Sequence, residues 1–180
     1  MEKYYELTEN FKVNFLGVKL FQVKCINKTK YSNIGDLGGW IEKESNLSGN
    51  AWIFGDARIF GDAQISGDAQ IFGDAQIFGD ARISGNARIF GDARISGNAQ
   101  IFGNARISGN ADYCCFQSFG SSYRTITVFR ESENKIKVSC GCFLGSIQEF
   151  TKRIKEVHGN NQYAKEYLAI IKVIKIRFNL

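Results

Sequence analysis

The sequence predicts an all-β repeat fold: a parallel β-helix, opened by an N-terminal β cap and followed by a small basic α+β module. Three observations carry this prediction. From Gly49 the six-residue phrase Gly, Asp/Asn, Ala, variable, Ile, Phe/Ser recurs ten times in register and fades only at Gly109. A fixed short period means stacked coils, each too small to bury its own apolar residues. On either side of the run the period is lost and other signals take over.

Residues 1–34 read as the β cap. In KVNFLGVKLFQVKCI, two apolar runs flank Gly17, a hairpin signal. A cap is required because the open end of a parallel ladder is a template for aggregation. The opening MEKYYELTENFK carries acidic residues and no apolar h-region, so it does not read as a signal peptide. No stretch approaches the roughly 18 apolar residues of a membrane span. Five cysteines, an odd number, fit reduced thiols better than a disulfide framework. A cytoplasmic protein with no membrane partner is the expectation.

Residues 35–112 form the coil. Side chains alternate across a strand, so Ala57 and Ile59 point one way while Arg58 and Phe60 point the other. Gly61-Asp62 is turn chemistry: glycine accepts positive φ, and Asp or Asn bonds its own backbone. Each hexad is thus one short strand and one corner, with Ala and Ile inside and Arg/Gln and Phe/Ser outside. Ile41 and Leu47 carry the phase upstream, making twelve inward aliphatic positions as far as Ile107. Each contributes about 1.5–3 kcal/mol on burial, before chain entropy is subtracted. The chain has no proline to interrupt a ladder.

With these residues the run Ile41–Asn110 resembles the hexapeptide repeat of left-handed parallel β-helices. In that family three hexads close a triangular coil of eighteen residues. The match departs from the family after the aliphatic position, where Phe or Ser stands here. The right-handed helix of the bactofilins is the alternative for the same pattern. DLGGWIEKESNLSGNAW (Asp36–Trp52), KVSCGCFLGSIQEF and YAKEYLAIIKVIKIRF together resemble small hexapeptide-repeat proteins of phages and prophages of anaerobic bacteria. That resemblance implies a phage-related role and supplies no functional residues.

On an eighteen-residue coil, Phe54, Phe72 and Phe90 form one outward column and Phe60 and Phe78 a second. The third column is mostly serine, ending in Phe102. Three phenylalanines on one face reach the few hundred Å² at which an apolar patch has a purpose. The expectation is a partner-binding face, with cover by a terminal module or simple ladder stabilisation as the competing explanations. Beside the stripe, Arg88 and Arg106 stack over Gln70 and Trp52. Such a face is either solvated or a stacking platform for single-stranded nucleic acid. The net charge of −2 over residues 49–112, from 5 Lys/Arg and 7 Asp/Glu, argues against phosphate attraction as the main force there.

Residues 113–180 carry 11 Lys/Arg against 5 Asp/Glu, a net +6 that accounts for the basic excess of the chain. TITVFRE and KIKVSC alternate as a hairpin around Glu131–Asn134. Ser146 with Glu149 makes a capping box, and an amphipathic helix follows to Gly159. A second helix starts near Asn161–Tyr163, and KVIKIRF reads as a return to strand. Lys152, Arg153 and Lys155 head a basic set suited to an acidic or nucleic-acid partner.

Catalytic chemistry finds little foothold. Acyltransferases of the left-handed family use a loop histidine as general base, whereas the one histidine here, His158, ends a predicted tail helix. Cys114-Cys115 and Cys140-Gly141-Cys142 lack the spacing of a zinc knuckle, and no Gly-rich phosphate loop precedes a helix. No cofactor or metal is expected. The reading is a non-catalytic interaction protein, in its sharpest form a phage-derived inhibitor of a bacterial defence effector such as a CRISPR–Cas nuclease. Its expected contacts are Phe54, Phe72, Phe90, Phe60, Phe78, Arg88, Arg106, Lys152, Arg153 and Lys155. A self-assembling structural protein, a nucleotide sponge and an acyltransferase are the rivals.

Overall fold

The two-residue strands of the coil follow from the hexad itself, because glycine corners leave room for only two ladder residues per side. The computed structural model describes residues 3–180, so the first two residues of the N-terminal cap lie outside it. The cap contributes β1 (Tyr5–Val13) and β2 (Lys19–Cys25), and the lead-in contributes β3 (Leu37–Ile41). The coil strands are β4 (Trp52–Ile53), β5 (Arg58–Ile59), β6 (Gln64–Ile65), β7 (Gln70–Ile71) and β8 (Gln76–Ile77). They continue as β9 (Arg82–Ile83), β10 (Arg88–Ile89), β11 (Arg94–Ile95), β12 (Gln100–Ile101) and β13 (Arg106–Ile107).

Three parallel sheets result. β3-β5-β8-β11 lines one side, β4-β7-β10-β13 the second and β6-β9-β12 the third. Partners are eighteen residues apart throughout, as in Trp52↔Gln70, Gln70↔Arg88 and Arg88↔Arg106. The chain is therefore a β-solenoid with the turn length the hexads require. Every repeat isoleucine from Ile41 to Ile107 is fully buried, as is every repeat alanine from Ala57 to Ala105. In the first coil Gly39 takes the alanine position, where an added Cβ would lie 2.4 Å from Ile53 Cγ2.

Each ladder N–H donates to the carbonyl seventeen residues on, as Gln64 N to Ala81 O at 2.9 Å. Both ends of such a stack are left with orphan groups, several of which are met by the N-terminal cap, by the last residues of the coil and by the C-terminal module. At the start, β2 pairs antiparallel with β3, and the Tyr5 hydroxyl donates to the carbonyls of Glu44 and Leu47. At the finish, Arg94 N donates to Asn110 Oδ1, Gln100 N to Thr127 Oγ1 and Ser108 N to Asp112 Oδ2, at 2.8, 2.9 and 2.8 Å.

The C-terminal module is an antiparallel sheet, β14 (Tyr113–Phe119), β15 (Arg124–Ser132), β16 (Lys135–Cys140) and β17 (Phe143–Gly145), backed by α1 (Ile147–His158) and α2 (Gln162–Phe178). Strand alternation divides β15 between two cores: Phe129 closes the coil interior, while Ile126 and Val128 face the helices. The hairpin and the Ser146–Glu149 capping box stand where the sequence places them. Residues 172–178, KVIKIRF, depart from the expectation: they are the last two turns of α2, not a strand. Ile170, Ile174 and Phe178 are buried at four-residue intervals, and that helical spacing, set by packing on the sheet, overrides the β-branched composition. β14 and β17 have no signal in the sequence, because YCCFQSF and FLG carry no clear alternation.

Candidate functional site

The expected columns exist, and the neighbouring elements treat them differently. Phe54–Phe72 and Phe72–Phe90 stack with ring centroids 4.4 and 4.9 Å apart and planes within 7° of parallel. Phe60–Phe78 stack at 4.9 Å. Parallel strands set this spacing, since neighbours in register lie about 4.7–4.9 Å apart. All three rings of the first column are half-buried. Phe60 is a correction: it is 3% exposed, with Phe15 from the β1–β2 turn edge-on to it at 6.4 Å. The N-terminal hairpin thus removes Phe60 from the open surface and leaves Phe78 half-buried above it.

Arg88 and Arg106 are neighbours on β10 and β13, both exposed. Beneath them, however, Gln70 and Trp52 are buried at 8% and 2% exposure, against the expectation that the whole column faces out. The segment between β2 and β3 lies over this side of the coil. Its tight turn is held by Thr29 Oγ1, which accepts from Tyr31 N and Ser32 N at 3.1 Å each. Lys30 bonds Asp68 at 3.0 Å, and Lys30 and Asn50 together hold the Asp68 carboxyl below the usual range. Lys30 and Tyr31 wall a depression of about 300 Å³ floored by Gln70 and bordered by Asn86, Arg88, Asn104 and Arg106. Sequence reasoning missed Lys30 and Tyr31, since nothing local ties a loop near residue 30 to strands at 70–106.

The basic trio on α1 is not brought together. Lys152 lies 3.9 Å from Glu156. Arg153 borders a pocket of about 200 Å³ with His158, Tyr167, Arg124 and Cys140. Lys155 joins Lys165, Lys172 and Lys175 around a groove of about 510 Å³ between α1 and α2. Lys152 and Lys155, three residues apart, share one side of the helix, whereas Arg153 stands about 100° round from Lys152. His158 sits at the end of α1 with its ring 5.6 Å from that of Tyr167, in the C-terminal module and away from the coil.

The cysteines are likewise divided by strand alternation. Cys115 packs on the coil core, whereas Cys114 and Cys140 pack on the core beneath the helices. Burial pushes the Cys114 thiol up to about 11 and raises Cys115 and Cys140 as well. These are thiols held neutral, the opposite of the activated state a nucleophile or metal ligand needs.

Residues 75–88, 81–97, 87–101 and 99–111 match the family model of the YdcK β-solenoid repeat. With the eighteen-residue pairing and the three parallel sheets, this decides the class. The chain is a β-solenoid repeat protein. The solenoid matches lie within the coil segment and extend to neither terminal module. No curated protein matches the chain. Among the described residues, no helix of this solenoid protein is long and apolar enough to cross a membrane.

Proposed function

We propose that this solenoid is a non-catalytic binding protein that offers one lateral face to a macromolecular partner. The observation that carries the reading is the Phe54–Phe72–Phe90 ladder, three half-buried rings whose aromatic contacts are one another, set beside the exposed Arg88 and Arg106. Phenylalanine and arginine are both enriched at protein interfaces relative to the rest of the surface. Closure of both ladder ends by the terminal modules supports the choice of a side over an end. The raised cysteine thiols and the placement of His158 in the tail module favour binding over chemistry.

The resemblance to left-handed hexapeptide-repeat proteins of phages gives this reading its sharpest form. The partner is then a bacterial defence effector, such as a CRISPR–Cas nuclease, met in the cytoplasm and inhibited by occupation of its surface. The test is co-expression with an active CRISPR–Cas system under phage challenge. Plaque numbers should recover with the wild-type chain and fall again with Phe72→Ser plus Phe90→Ser, serine being a residue the repeat itself uses at these positions. Unchanged defence, with no complex between the purified proteins, would overturn the inhibitor reading.

A second reading is favoured by the N-terminal hairpin, where Phe11, Val13, Phe15 and Leu16 are 51, 58, 70 and 60% exposed. Association of two copies through this tip would appear as a concentration-dependent mass in light scattering.

A further inference from the structure

The depression between the 26–36 segment and the coil holds a charge arrangement that the rest of the repeat avoids. Arg58, Arg82 and Arg94 each stand two residues after an aspartate, Asp56, Asp80 and Asp92. Arg88 and Arg106 instead follow Asn86 and Asn104. Asparagine keeps the corner conformation that aspartate supplies and removes its charge. The two arginines denied this neighbour are also the two that stand side by side in register, where like charges repel. Neither makes an ion pair with any described residue. Arg106 borders Asp112 on its far side, but Asp112 is held by Arg130 at 3.1 Å.

Some of the surrounding polar groups keep donor capacity to spare. Asn86 Nδ2 donates to Asn104 Oδ1 at 3.1 Å, which commits the Asn104 oxygen and leaves the Asn104 amide nitrogen to the depression. The carboxamide of Gln70, on the floor, makes no hydrogen bond among the described residues. Asp68, the one carboxylate at the edge, is engaged by Lys30 and Asn50 at 3.0 and 3.1 Å. Two unpaired guanidiniums and amide donors around about 300 Å³, with the Asp68-paired Lys30 at the rim, match a phosphate group, whose oxygens take bidentate arginine bonds. The half-buried Tyr31 ring, with Lys30 Nζ 5.1 Å from its centroid, is the one aromatic surface lining the depression among the described residues.

We infer that this depression is a binding site for a small phosphate-bearing ligand of nucleotide type, with the phosphate between Arg88 and Arg106 and the base against Tyr31. The net −2 of the coil segment does not oppose this, because its one acid at the depression, Asp68, is engaged by Lys30 and Asn50 and the others stand at other corners. The inference goes beyond the partner-face reading and does not depend on it: a chain with no defence-protein partner would still bind the ligand.

Titration calorimetry of the full chain with 5′-AMP, inorganic phosphate and adenosine tests it. AMP and phosphate give heat and adenosine gives none. Arg88→Gln and Arg106→Gln each weaken AMP binding about tenfold or more, while Arg82→Gln leaves it unchanged. Glutamine is the repeat's own alternative at these positions, so each variant keeps the coil, and its melting temperature without ligand stays level or rises as the repulsion is relieved. Tyr31→Ala abolishes the preference for AMP over phosphate. Equal binding of AMP and phosphate, unmoved by Tyr31→Ala, would assign the source as free phosphate and keep the arginine pair as its site. Silence with both, adenosine binding as tightly as AMP, indifference to both arginine substitutions, or binding confined to long single strands would overturn the site.

Discussion

Gly85 and Gly103 occupy the same corner in successive coils, with φ of +77° and +69°, yet they face different neighbours. A Cβ on Gly85 would lie 2.8 Å from Gly103 N and 2.9 Å from Gly103 O, whereas a Cβ on Gly103 meets nothing within 4 Å. Both positions carry the left-handed cost of an L side chain, about 1–2 kcal/mol. Only Gly85 adds a clash with backbone, which cannot move without shifting a coil, and overpacking of that kind costs roughly 1–3 kcal/mol more. Urea unfolding should therefore show Gly85→Ala destabilised well beyond Gly103→Ala; equal losses would mean that the stacking distance yields easily. At the same scale, Asp against Asn at a corner is a choice of charge with the conformation held constant. That is why residues 86 and 104 bear on ligand chemistry without disturbing the fold.

At the scale of elements, the strands of the coil are held by what stacks on them, and β15 shows how the stack is ended. Thr127 is fully buried, and its Oγ1 accepts from Gln100 N at the top of β12. Thr127→Val keeps the shape and removes the acceptor, which leaves a buried N–H unpaired at a cost of about 1–3 kcal/mol. The expected outcome is a lower unfolding midpoint with an unchanged far-UV spectrum; an unchanged midpoint would show that water reaches Gln100 N. α2 makes the complementary point, since its residues 172–178 look like strand in isolation and become helix once Ile174 and Phe178 have a sheet to cover.

Across the whole molecule, the two end modules use the same device. The Tyr5 hydroxyl donates to Leu47 O below the first coil, and the Tyr113 hydroxyl donates to Arg94 O above the last. Burial pushes both phenols up to about 12 from an ordinary 10. A folded pKa above the unfolded one means that the proton is held more tightly in the native state. This contribution to stability is complete below pH 10 and is lost as pH climbs toward 12. Stability measured from pH 8 to 12 should fall steeply over the last two units, and Tyr5→Phe plus Tyr113→Phe should lower the plateau and flatten the fall. A wild-type curve level to pH 12 would contradict the assignment of these phenols as end caps.

Six-residue periodicity, read from residue types alone, decided the coil, its inward Ala and Ile, its glycine corners and the eighteen-residue columns, because every coil repeats one local choice and neighbours need only stack. The helix α1 was legible for the same reason, its capping box and spacing being local. Contacts between segments distant in the chain were not. Phe15 covers Phe60 and Tyr31 faces Gln70 only because the N-terminal hairpin and the loop after it wrap back along the coil, so which Phe column is closed and which polar face becomes a walled depression were decided in three dimensions. A repeat states its own geometry over and over, but it contains no record of what lies across it.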